Sequence, residues 1–145
     1  MFRIRVERLI NKDIDTVFAL ISDHENYQQF RGIDRSVLLT PGSQHKNGVG
    51  AFRHIVSGRF ELFERITAFE QPRRMDYHIE RSRPLPIRHD KGEIVLSAEG
   101  DAPRAIWISE GHVTIPLLGN GFLDAYIEKN VAVQFASIFK SIEQL

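Results

Sequence analysis

Residues 119–145 read GNGFLDAYIEKNVAVQFASIFKSIEQL, and the rest of the chain has to be arranged around them. From Phe122 onward the stretch holds neither Pro nor Gly, so about 24 residues run unbroken at helical period, long for a globular helix. Ile127, Val131, Phe135, Ile138 and Ile142 recur at steps of three and four and make one apolar stripe. Phe122, Tyr126 and Val133 stand on a neighbouring face, which leaves the helix apolar over more than half its girth. A helix of that kind is wrapped by other elements. Nothing nearby in sequence is helical enough to wrap it, and what precedes it is a series of strand-like runs. The expectation is a curved sheet closing around this helix, with space between them for a ligand.

The preceding residues supply that sheet. Phe2 to Leu9 alternates, with Phe2, Ile4 and Val6 on one face and Arg3, Arg5 and Glu7 on the other, as in a half-buried strand. Asn11 and Asp13 compete to cap a helix carrying Ile14, Val17, Phe18 and Ile21. Asp23 opens a short second helix with Tyr27 and Phe30, ended by Gly32. Ile33 to Leu39 reads as a strand and Pro41 to Gly50 as a loop. Ala51 to Val56 and Arg59 to Ala68 form a hairpin across Ser57-Gly58. A two-residue Ser57-Gly58 loop sets Ile55 opposite Phe60 and Arg53 opposite Leu62, with Glu64 diagonal to Arg53 on the same face. Met75 to Arg81 is the next strand, Ser82 to Gly92 a loop with two prolines, and Glu93 to Ala98 a strand. Arg104 to Ile115 is the last strand. There Ile106 and Ile108 compete with Trp107 and Ser109 for the interior, and Gly111 is a candidate bulge.

Bulk properties narrow the function classes. The 145 residues make one domain, 1–145, large enough to fold without staples. There is no cysteine, which excludes disulfides, thiolate chemistry and cysteine-ligated metals. The absence of cysteine is compatible with a reducing cytoplasm, the expected location. The first residues lack a signal-peptide core, and no apolar run has the length of a membrane span. Nineteen basic residues balance nineteen acidic ones, so the chain lacks the basic excess of a nucleic-acid binder. The Arg73, Arg74, Arg81, Arg83 and Arg88 group has Asp76, Glu80 and Asp90 among it and reads as a solvated edge.

The order of elements and several residues together resemble the START/Bet v 1-like (SRPBCC) superfamily, in its polyketide cyclase/dehydrase and lipid-transport branch. The matching pieces are Val17-Phe18, Ile21-Ser22-Asp23 and Tyr27, Gly48-Val49-Gly50 before Arg53, Gly58 leading to Glu64-Arg65-Ile66, Pro72 before Tyr77, and Trp107. They come in order over nearly the whole chain, and none is a catalytic signature. Lys12 departs from the pattern, standing where the family tends to place Pro. The resemblance implies an α+β helix-grip fold. Seven antiparallel strands bend around the C-terminal helix, and two short helices between strands 1 and 2 plug one end. It also implies a cavity for a hydrophobic small molecule such as a lipid, quinone or polyketide, in a carrier or in a cyclase or dehydratase.

Arg53 and Glu64 are the sharpest candidate pair, because charges facing an apolar cavity must be paired. They would anchor a polar group of a ligand or form a structural ion pair. Tyr77 and Tyr126 would each offer a phenol, which could polarise a ketone, and Trp107 a flat wall. With Phe60, Leu62, Ile79, Phe122 and Val133, these make the expected ligand-binding set. No catalytic residue and no cofactor is assigned. The six histidines, His24, His45, His54, His78, His89 and His112, lack metal-ligand spacing, so no metal site is expected. Gly48-Val49-Gly50 lacks the third glycine of a nucleotide fingerprint. With Leu117, Leu118 and Gly119 it is expected to rim the cavity mouth as a mobile lid. A third reading uses Phe52 and Phe63 on the outer sheet face to grip a protein partner. A homodimer is left open.

Overall fold

The computed structural model describes residues 1–115 and 120–145. Strand β1 (Phe2–Leu9) is followed by helix α1 (Ile14–Ile21) and a 3-10 helix (His24–Gln29). Six strands come next: β2 (Arg35–Thr40), β3 (Phe52–Ser57), β4 (Phe60–Glu70), β5 (Arg74–Arg83), β6 (Ile87–Glu99) and β7 (Ala102–Val113). Helix α2 (Asn120–Gln144) closes the chain. The strands form one antiparallel sheet in the order β1-β7-β6-β5-β4-β3-β2. This is the α+β helix-grip arrangement.

Asp13 caps α1, its Oδ2 accepting from Thr16 N at 3.1 Å. Asn11 sits too early in the chain to reach those orphan N–H groups. The stripe of α2 holds as read: Ile127, Phe135, Ile138 and Ile142 are buried, Val131 packs against the core, and Trp107 stacks on Phe135 with centroids 4.0 Å apart. Polar ties fix the helix along its length. Asp124 accepts from Val113 N at 2.8 Å and pairs with the Met1 ammonium at 2.6 Å. Glu128 accepts from Arg3 N at 2.9 Å, and Glu143 pairs with Arg8.

Three local expectations change. The β3–β4 turn is Gly58-Arg59, so Ser57 pairs with Phe60, Ile55 with Leu62 and Arg53 with Glu64. The φ of +59° at Gly58 is the reason, since a tight hairpin turn needs a left-handed residue and glycine adopts that conformation without strain. The face assignment survives, because the shift is two residues in pairing and leaves parity intact. The supposed loop Ser82 to Gly92 is mostly strand. Only residues 84–86 connect β5 to β6, and β6 hides its alternation behind an irregularity at Asp90, between the His89 and Lys91 pairings. His89 therefore faces inward on one side of the bulge, and Gly92 and Ile94 on the other. In β7 the parity settles on Trp107, Ser109 and Gly111 inward.

Gly111 is not a bulge. It pairs in register with Phe2 and with His89. A Cβ there would lie 2.5 Å from Arg88 O and 2.9 Å from Phe2 Cζ, so the glycine leaves room for the Arg88 carbonyl and the Phe2 ring. Gly111→Ala is expected to destabilise the fold by about 1–3 kcal/mol, the usual cost of overpacking. Urea unfolding would read this, and a variant as stable as the parent would show that the Arg88 carbonyl and the Phe2 ring can both give way without cost.

Candidate functional site

Between the inward face of the sheet and α2 lies a cavity of about 350 Å³. Its apolar walls come from Phe2, Ile4, Ile55, Leu62 and Ile79 on the sheet and from Ile127, Val131 and Phe135 on α2. Tyr126, Asn130 and Gln134 form a second, more exposed row of α2 along the same space. Gln134 Nε2 donates to Arg31 O at 2.8 Å and so ties this row to the segment after the 3-10 helix.

The polar groups fall into two clusters, and each is organised by the protein itself. Arg53 and Glu64 are 1% and 4% exposed. Arg53 Nε and Nη2 both reach Glu64 Oε1, at 2.9 and 2.7 Å. Arg53 Nη1 donates to His24 Nδ1 at 2.9 Å, and the guanidinium lies 4.8 Å from the Tyr27 ring centroid. A guanidinium only donates, so His24 Nδ1 is the accepting nitrogen, and the proton sits on Nε2, which donates to Asn47 O at 2.8 Å. His24 is thereby a neutral imidazole. Burial, reinforced by the Arg53 charge, lowers its pKa to about 3. The Tyr27 hydroxyl donates to Ile21 O.

The second cluster spans β5, β6 and β7. Trp107 Nε1 donates to the Tyr77 hydroxyl at 2.8 Å. Ile79 N donates to His89 Nδ1 at 3.1 Å, which leaves the His89 proton on Nε2 to donate to Ser109 Oγ at 3.0 Å. His89 too is neutral, its pKa lowered by burial and then by His78 to about 4. Ser109 acts on the Tyr77 phenol in the sense that favours its charged form, as does Trp107. Burial, and next the Glu64 charge, push the Tyr77 phenol well above its usual range.

Of the residues singled out in the sequence, Arg53, Phe60, Leu62, Glu64, Tyr77, Ile79, Trp107 and Tyr126 line the cavity. Phe122 and Val133 do not. They are 77% and 67% exposed, because at 100° per residue both point away from the Ile127–Val131–Phe135 stripe. Gly48-Val49-Gly50 is also absent from the cavity wall, and Gly48 packs on His45 and Phe69 instead. Leu117, Leu118 and Gly119, the expected other half of the rim, lie outside the described residues. On the outer face Phe63 is only 7% exposed. His54 stacks on it at 4.3 Å and Arg81 covers it at 4.0 Å, while Arg65 lies over Phe52. That aromatic face is covered by the chain's own side chains.

His24, His89 and Ser109 were missed as members of the polar clusters. His89 fell in the misread loop, Ser109 in the strand of undecided parity, and His24 approaches Arg53 from a helix 29 residues away in sequence. Among the described residues no group of His, Asp and Glu is arranged to hold a metal ion, and no helix is long and apolar enough to cross a membrane.

Known proteins place this geometry. A similar fold occurs in the protein TTHA0849 from Thermus thermophilus, at 19% identity and a TM-score of 0.77, covering 98% of this chain and 94% of that one. A START superfamily protein from Mycobacterium smegmatis superposes at a TM-score of 0.77 with 11% identity, covering 99% and 96%. Ara h 8.0201 does so at 0.69 with 15% identity, covering 98% and 95%. No curated protein matches. The family model described as polyketide cyclase / dehydrase and lipid transport matches residues 1–142. The chain shares its fold with the START superfamily protein and with Ara h 8.0201, and with the family model in agreement over almost every residue it belongs to the polyketide cyclase / dehydrase and lipid transport family.

Proposed function

We propose that the protein binds and carries a hydrophobic small molecule in the cavity between sheet and α2. The observation that carries this reading is the cavity itself, about 350 Å³ of space walled mostly by apolar side chains that the fold does not fill. At the packing density of a protein interior, ~0.74, it accepts about 260 Å³ of ligand. That suits a molecule of two or three fused or linked rings, or a medium-length acyl chain, better than a four-ring sterol.

A second reading, a cyclase or dehydratase, is favoured by a phenol and a carboxylate flanking one pocket. Proton transfer works best with a group whose pKa lies near the working pH. The Tyr77 phenol is driven up, and His24 and His89 are driven down to about 3 and 4, so each moves away from neutrality or stays neutral throughout. Binding without chemistry is the simpler use of such groups.

A native mass spectrum of the purified protein and a thermal-shift panel of flavonoids, quinones, fatty acids and sterols test the reading. A ligand that binds only the folded state raises the melting temperature by mass action. The expected result is a co-purified mass, or a shift with at least one ring compound. Val131→Trp, which projects an indole into the space from α2, should abolish the shift and leave the fold intact. An empty spectrum with no shift across the panel would overturn the proposal.

A further inference from the structure

The hydrogen bonds of the two clusters, counted atom by atom, leave two features of opposite character facing the cavity. The first is an acceptor. The Arg53 Nε hydrogen bond and the Nη2 ion-pair contact both fall on Glu64 Oε1, and Oε2 makes no hydrogen bond among the described residues. Asn47 Oδ1 is the one fully occluded side-chain nitrogen or oxygen without a partner among those residues. Glu64 Oε2 is therefore open to the space that its side chain lines.

The second is a donor. The Tyr77 oxygen receives the Trp107 N–H, and the Ser109 oxygen receives the His89 N–H. Each hydroxyl still carries its own hydrogen. The two can satisfy only one of these hydrogens on each other, so at least one is left over, and both side chains line the cavity. Glu64 pairs with Ile79, two residues from Tyr77 on the same strand, so acceptor and donor are diagonal neighbours on the inward face.

Arg53 offers little beside them. Of its five N–H groups, Nε donates to Glu64 and one on Nη1 to His24, Nη2 lies in ion-pair contact with Glu64 Oε1, and the Tyr27 ring sits 4.8 Å from the guanidinium. The charges Arg53⁺ and Glu64⁻ cancel and His24 is neutral, so an anionic ligand group would be buried unpaired against Glu64 Oε2.

Resting on the carrier reading, we infer that the ligand's buried end is an uncharged hydroxyl, alcoholic, phenolic or enolic. It donates to Glu64 Oε2 and accepts the spare hydrogen of the Tyr77–Ser109 pair. Carboxylates of the same shape are rejected. The role of Glu64 is then to set specificity, in addition to pairing with Arg53.

The test is a matched series of ring compounds titrated calorimetrically into the unmodified protein near neutral pH: naphthalene, 2-naphthol, 2-methoxynaphthalene and 2-naphthoate. The methyl ether keeps the acceptor, loses the donor and is the more hydrophobic, so hydrophobicity alone predicts the opposite ranking. A hydrogen bond to a charged group is worth about ten- to a hundredfold in affinity, and 2-naphthol should exceed the ether and naphthalene by that factor. The carboxylate should bind weakest, and more tightly as a modest drop in pH, within the range where the fold holds, raises its neutral fraction. Glu64→Gln, checked for folding by circular dichroism, should collapse the preference for naphthol over the ether, since its amide can turn a donor to the cavity. Equal binding of naphthol and ether, or tighter binding of the carboxylate, overturns this inference and leaves the carrier reading standing. No binding by any of the four, together with an empty native mass spectrum, overturns both.

Discussion

Arg53→Met is expected to cost about 3–5 kcal/mol of folding stability, the penalty for leaving a buried carboxylate without its cation. For a domain whose total stability is of the order of 5–15 kcal/mol, that is enough to bring the fold close to its limit. The loss is local in origin. Glu64 Oε1 would forfeit a charge-assisted hydrogen bond and an ion-pair contact, His24 Nδ1 its donor, and the Tyr27 ring the guanidinium beside it. Removing both charges together, as Arg53→Met with Glu64→Leu, should restore most of the stability, because two well-packed apolar groups replace a desolvated pair. Urea unfolding of the parent, both single variants and the double variant gives the coupling energy directly. Single variants within about 1 kcal/mol of the parent would mean that water reaches the pair, and the sealed geometry would have to be abandoned.

Acid should weaken the fold well before its carboxylates titrate. His24 and His89 are 0% and 4% exposed and hold pKa values of about 3 and 4, against an ordinary 6.5 in the unfolded chain. Both are neutral in the fold, so above pH 6.5 neither state binds a proton and the stability is fully present. As the pH falls below 6.5 the unfolded chain takes up two protons that the folded chain refuses. Stability then drops at about 1.4 kcal/mol per pH unit for each histidine, until the folded-state values are reached. The loss by pH 4 is on the order of 6 kcal/mol, read as a falling urea midpoint. His89→Gln keeps an acceptor for Ile79 N and a donor for Ser109 Oγ, removes the titration, and should remove about half of the slope. A flat profile between pH 6.5 and 5 would show that water reaches these imidazoles.

Much of the architecture could be read before any coordinates. The period of α2, the alternation of β1, the β3–β4 hairpin and the two short helices were all visible, because each expresses a local periodicity of 3.6 or 2. The failures share a cause. The two prolines between β5 and β6 suggested a loop, and the irregularity at Asp90 broke the alternation that would have revealed a strand. Phe122 and Val133 failed because an apolar residue on a helix says nothing about which way that helix is turned; packing of the Ile127–Phe135 stripe decided it. Trp107 and Ser109 shared a strand with Ile106 and Ile108, and alternation alone could not choose between two apolar faces.

The sequence by itself determined the container: a long apolar helix, enough strands to wrap it, and one inward face carrying Arg53 and Glu64 together. The order of hydrophobic residues suffices for that, since burial acts on each element separately. Only the tertiary structure decided the chemistry inside. His24 reaches Arg53 from a separate helix, and His89 and Ser109 meet across two strands. Which oxygen of Glu64 is engaged and which is open depends on distances of a few tenths of an ångström. Hydrogen bonds are directional and short-ranged, so the polarity of a cavity is fixed by where side chains from distant segments converge.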